Sequence, residues 1–107
     1  MYARVTIMAF KKGTTDEAVR IFESSVLPCA RDQKGYRRSY FLADRAADKC
    51  VAVTFWESEA DAAANEENRY YQEQLVKFMA LYTVPPIREG YEVAVENRET
   101  ASHKEEL

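Results

Sequence analysis

Residues 50–61 read CVAVTFWESEAD, and the periodicity changes partway along this stretch. From Cys50 to Glu57 the apolar residues Val51, Val53 and Phe55 alternate with others, a period of two that puts them on one face of a strand. At Ser58 the alternation stops. Ser58 followed by Asp61 is a helix start, the hydroxyl accepting from a free amide of the first turn. The alanine-rich residues 60–64 then extend that helix. A strand runs directly into a helix here, and the rest of the chain is organised around this junction.

Upstream, residues 36–44 form a second strand separated from the first by the polar turn 45–49, so the two make a hairpin. Further back, residues 3–10 alternate, with Ala3, Val5, Ile7 and Ala9 on one face and Arg4, Thr6, Met8 and Phe10 on the other. Lys11-Lys12-Gly13 ends that strand. Thr14 and Glu17 read as a capping box opening a helix. Its apolar stripe is Val19, Phe22, Val26 and Cys29, and Pro28 is expected to kink or end it. Downstream of the junction, residues 65–68 interrupt the helix. A second run follows with Tyr71, Leu75, Phe78, Met79 and Tyr82 on one face, and Val84-Pro85-Pro86 stops it. Residues 87–96 form the last strand, with Ile87, Tyr91, Val93 and Val95 on its apolar face. Residues 97–107 are polar and aperiodic, and are expected to form a mobile tail after a domain of residues 1–96.

The order strand-helix-strand-strand-helix-strand, with short connections and right-handed crossovers, gives an α+β fold: a ferredoxin-like split βαβ arrangement with helices on one face of an antiparallel sheet. Each strand has a plainly apolar face and a mixed face that still contains large groups such as Met8, Phe10 and Trp56. Helices on one side leave the other side greasy, which soluble monomers avoid. A homodimer closed by sheet-to-sheet packing is expected, with the face lining any pocket left open.

Composition narrows the functional classes. A net charge of -3 and a pI near 5.2 argue against a nucleic-acid surface, and Lys11-Lys12 and Arg37-Arg38 are only doublets. Arg4 breaks the apolar start MYARVTIMAF, so an export signal is not expected. No run reaches membrane-spanning length, and cytoplasmic localisation follows as the expectation. Cys29 and Cys50 read as reduced core residues. The three glycines, Gly13, Gly35 and Gly90, are isolated and build no phosphate loop. His103, the single histidine, falls in the tail, which leaves no Ser-His or Cys-His pair and no Cys/His zinc cluster in the domain. No metal and no cofactor are expected.

The segment Thr54-Phe55-Trp56-Glu57-Ser58-Glu59 resembles the strand-to-helix junction of antibiotic biosynthesis monooxygenase domains. The similarity continues through Tyr70-Tyr71-Gln72-Glu73-Gln74-Leu75, Pro85-Pro86 and Tyr91-Glu92-Val93. The resemblance implies a dimeric α+β barrel with a ligand pocket between each sheet and its helices. It also implies two functional branches. Oxygenases of polyphenols without cofactors share the junction tryptophan, matching Trp56, but their amide and tyrosine positions correspond to Ala52 and Ala62 here. The haem-degrading branch has an asparagine, a tryptophan and a histidine where this chain has Thr6, Asn65 and Leu75, so that scheme lacks its iron ligand.

These readings give a working set of site residues. Trp56, Tyr71, Leu75, Phe78 and Thr6 are candidates for binding an aromatic small molecule. Tyr40 and Arg88 are candidate catalytic groups, each able to meet a developing phenolate. Arg4, Arg88 and Glu92 share the mixed face of the first and last strands, where an ion pair at the dimer seam is the competing explanation. Tyr36 and Tyr40 are expected on one face of the second strand. One functional reading is a cofactor-independent monooxygenase that oxidises a quinol-like or polycyclic phenol with dioxygen. The alternative is a non-catalytic small-molecule-binding or sensing homodimer, and a third is a dimer whose interior is filled by side chains.

Overall fold

A computed structural model describes residues 1–98. Strands β1 (Tyr2–Ala9), β2 (Tyr36–Asp44), β3 (Lys49–Trp56) and β4 (Ile87–Glu92) form one antiparallel sheet in the order β2-β3-β1-β4. This is the α+β, ferredoxin-like arrangement the alternation predicts. The last strand is shorter than the expected 87–96. Most of the expected tail, including His103, lies outside the described residues.

Helix α1 (Thr15–Ile21), a π-helical turn (Phe22–Val26) and α2 (Leu27–Arg31) form one continuous rod. Pro28 neither ends nor breaks it. The α-pattern partner of the Ser24 carbonyl is the Pro28 nitrogen, which has no hydrogen, and the wider π turn just upstream shifts the bonding register. The turn changes the buried stripe to Ala18, Phe22, Val26 and Ala30, and Cys29 rotates to the surface. The expected capping box is also absent. The Thr14 hydroxyl donates to the Lys11 carbonyl at 2.7 Å, while Asp48 accepts from the Gly13 amide (3.1 Å) and the Thr15 hydroxyl (2.8 Å).

After the hairpin, α3 (Glu59–Glu67) begins as predicted, with the Asp61 amide donating to Ser58 Oγ at 3.2 Å. The break comes later than residues 65–68 suggest. Asn65 is helical and buried, and the chain turns at Arg69, which adopts a left-handed conformation with φ of 71°. Helix α4 (Tyr70–Val76) follows. The chain leaves helical geometry after it, so Leu81 rather than Met79 joins the core.

All helices lie on the mixed face of the sheet. On β1, Arg4, Thr6 and Met8 are buried beneath them, as is the adjoining Phe10, while Val5, Ile7 and Ala9 on the opposite side are only half-buried. The polar residues decide this choice, because they find partners only on the helices. Met8, Phe10, Phe22, Val26, Cys50, Phe78 and Leu81 form the core, with Phe22 stacked on Phe41 at 4.6 Å between ring centres. The other face remains open. Tyr40, Leu42, Ile87 and Tyr91 on it are 52%, 53%, 54% and 53% exposed.

A β-bulge in β2 also separates two residues expected to share a face. Tyr36 pairs with Trp56 and Arg38 with Phe55, which leaves Arg37 as the extra residue. Tyr36 therefore packs edge-on against Trp56 on the helix side (6.0 Å), whereas Tyr40 packs edge-on against Phe55 on the open side (6.2 Å).

Candidate functional site

Between the sheet and the helical layer lies a cavity of about 50 Å³, walled mainly by apolar and aromatic groups. Alternation brings Thr6 and Met8 to it from β1, and Ala52, Thr54 and Trp56 from β3. Phe22 and Val26 come from the π turn. Helix α4 supplies Tyr71, Gln74 and Leu75, spaced one turn apart, and Phe78 follows from the turn after it. Five residues singled out in the sequence, Thr6, Trp56, Tyr71, Leu75 and Phe78, line this one space.

Arg4 forms the polar end. Its guanidinium lies 4.1 Å from the centre of the Tyr71 ring and 5.1 Å from that of Trp56. Nη1 donates to Asn65 Oδ1 (2.7 Å), Glu66 Oε2 (3.1 Å) and the Ala62 carbonyl (3.2 Å). Burial lowers the guanidinium pKa from the ordinary arginine value, and the Glu66 hydrogen bond acts in the opposite direction. Arginine is basic enough that the group keeps its charge. Beside it, Thr6 Oγ1 and the Tyr71 hydroxyl are 2.6 Å apart. Burial raises the Tyr71 pKa, with the Thr6 hydrogen bond opposing, and pushes the neighbouring Tyr70 up to about 12. Both phenols are therefore neutral at ordinary pH.

The two candidate catalytic residues lie elsewhere. Arg88 is opposite Thr6 in register and shares its face, but β4 is an edge strand and its side chain extends beyond the cavity to pair with Glu66. Together with Tyr2, Arg4, Glu66 and Glu89 it lines a separate polar groove of about 260 Å³. Tyr40 points from the opposite face of the sheet, away from the cavity. Arg4 and Gln74 occupy the cavity instead. Arg4 was visible in the sequence as a charge on an otherwise buried strand face. Gln74 sits three residues after Tyr71 and four before Phe78, on the same helical stripe, but its polarity hid it. Ala52 lines the cavity, whereas Ala62 is buried at the polar groove with its carbonyl held by Arg4.

Residues 1–74 match the family model described as antibiotic biosynthesis monooxygenase. No curated protein matches the sequence. Among solved structures, a monooxygenase from the gene ActVA-Orf6 of Streptomyces coelicolor, in complex with the ligand nanaomycin D, is similar with a TM-score of 0.77. That match has 16% identity and covers 92% of each chain. A mutant of SnoaB, a cofactor-independent oxygenase from Streptomyces nogalater, gives a TM-score of 0.74 at 17% identity, covering 92% of this chain and 97% of that one. Rv0793 from Mycobacterium tuberculosis gives 0.70 at 13% identity, covering 91% and 98%. At these identities the likeness is one of fold. No helix among the described residues is long and apolar enough to cross a membrane.

Proposed function

The chain belongs to the antibiotic biosynthesis monooxygenase family, and from that premise we propose that it is a cofactor-independent monooxygenase of a quinol-like or polycyclic phenol. The observation carrying this reading is the cavity itself, where the rings of Trp56, Tyr71 and Phe78 surround a space with cationic Arg4 at one end. Aromatic walls hold a flat ring, and a fixed positive charge favours the phenolate over the phenol.

The chemistry balances without any group beyond substrate and dioxygen. The phenol loses its hydroxyl proton, and the electron-rich ring carbon forms a bond to dioxygen. The hydroperoxide formed there loses water, leaving a second carbonyl. The proton removed from the hydroxyl ends on the hydroperoxide, one oxygen atom enters the product, the other leaves in water, and the ring supplies all four electrons that reduce dioxygen. The protein's work is orientation and charge stabilisation.

At about 50 Å³ the cavity holds only one or two waters, so a ring enters when α4 moves outward. That helix is a short segment, with left-handed Arg69 before it and a non-helical turn after it. On the open sheet face, a second copy of the chain covers Tyr40, Leu42, Val53 and Ile87, making a homodimer.

Oxygen uptake with a panel of naphthoquinols and anthrones tests the activity. Uptake above the uncatalysed rate is expected, falling in Arg4→Met. No such uptake across the panel overturns the reading. A non-catalytic binding dimer is the second reading, favoured by the methyl of Ala52 on the cavity wall. Saturable binding without turnover distinguishes it.

A further inference from the structure

Two buried polar atoms on cavity-lining residues have no hydrogen-bond partner among the described residues: Trp56 Nε1 and Gln74 Oε1. Gln72 Oε1 is also unpartnered, but Gln72 does not line the cavity. Trp56 is 0% exposed and Gln74 8%. The orientation of the Gln74 amide is set at its other end. Nε2 donates to the Tyr70 carbonyl at 3.4 Å, and since a carbonyl accepts only from the nitrogen, the oxygen is the atom left over. An indole N–H only donates, and an amide oxygen only accepts. Two residues that line one largely apolar space thus carry one unpaired donor and one unpaired acceptor, an unfavourable state for buried polar atoms.

We propose that Gln74 is a specificity-determining residue of this cavity: Gln74 Oε1 accepts from a ligand hydroxyl while Trp56 Nε1 donates to a ligand oxygen that bears no hydrogen. The preferred ligand is an aromatic ring system with one free hydroxyl and one carbonyl- or ether-type oxygen. The inference rests on the reading that the cavity admits an aromatic ligand, and it adds the chemical pattern that ligand must show.

Calorimetric titration with 4-methoxy-1-naphthol and 1,4-dimethoxynaphthalene tests it, because the pair differs by one donor on the same ring. The wild-type protein is expected to bind the naphthol about tenfold more tightly. Gln74→Leu and Gln74→Met are each expected to bring the ratio to about one by weakening only the naphthol. Both substitutions remove a buried amide whose oxygen is unpaired and whose nitrogen makes only a long 3.4 Å hydrogen bond, so both are expected to fold. A wild-type protein that binds both compounds equally overturns the role of Gln74, as when a trapped water alone satisfies the two atoms. So does a folded variant that keeps the wild-type ratio. If the wild-type protein binds neither compound, it is the aromatic cavity itself that fails.

Discussion

Thr6 and Tyr71, on the central strand β1 and on α4, join hydroxyls 2.6 Å apart inside the protein. Each is the other's partner, so removing either strands the other in an apolar setting. Thr6→Val and Tyr71→Phe are each expected to cost about 1–3 kcal/mol in urea unfolding. The double variant is expected to cost clearly less than the sum, with a coupling of about 1 kcal/mol. Additive costs would show that the hydroxyls do not depend on each other.

Glu66 holds Arg4 inside and Arg88 outside. Glu66→Gln is expected to destabilise by about 1–3 kcal/mol, because it leaves a buried guanidinium without its counter-charge. Arg37 and Glu57 also pair, but their side chains are 45% and 60% exposed. Glu57→Gln is expected to cost less than about 0.5 kcal/mol. Chemical denaturation of the two variants side by side checks the contrast.

The buried phenols predict an alkaline limb. Burial raises the Tyr70 pKa from 10.0 to about 12. Its contribution is therefore fully present below pH 10 and is lost as pH rises through the folded value near 12. Urea midpoints are expected to fall across that window, less steeply in Tyr70→Phe. At the acid end, hydrogen bonds from the Thr15 hydroxyl and the Gly13 amide hold the Asp48 pKa low. That contribution is present above the ordinary carboxylate value and is lost as pH falls through the lowered one. Asp48→Asn is expected to flatten this limb.

The open face predicts assembly. The protein is expected to sediment at twice its 12.3 kDa chain mass at micromolar concentration. Tyr40→Lys with Leu42→Lys is expected to return it to the chain mass, by putting two charges in the middle of the covered surface. A wild-type species already at the chain mass would remove the dimer.

Much of the fold was legible because alternation and capping are local. The strand faces, the hairpin and the Ser58 cap all follow from neighbouring residues. Most of what was not legible depends on partners distant in sequence. Apolar content alone does not say which sheet face the helices take. Arg4 and Thr6 decide it by meeting Asn65, Glu66 and Tyr71. The bulge at Arg37 has no glycine to mark it, yet it separates Tyr36 from Tyr40. The π turn before Pro28 is a local effect of the missing proline N–H, and it moved Cys29 out of the expected stripe. Within the candidate site, the aromatic wall was readable from helical spacing, whereas Gln74 looks like a surface residue until its burial is known.

Trp56 is the single tryptophan of the chain and lines the cavity, so its emission reports directly on what enters there. Titration with 1,4-naphthoquinone is expected to quench it along a saturable curve that 4-methoxy-1-naphthol reverses by competition. Quenching that grows linearly without saturation, as for free tryptophan amide, would contradict an aromatic-binding cavity.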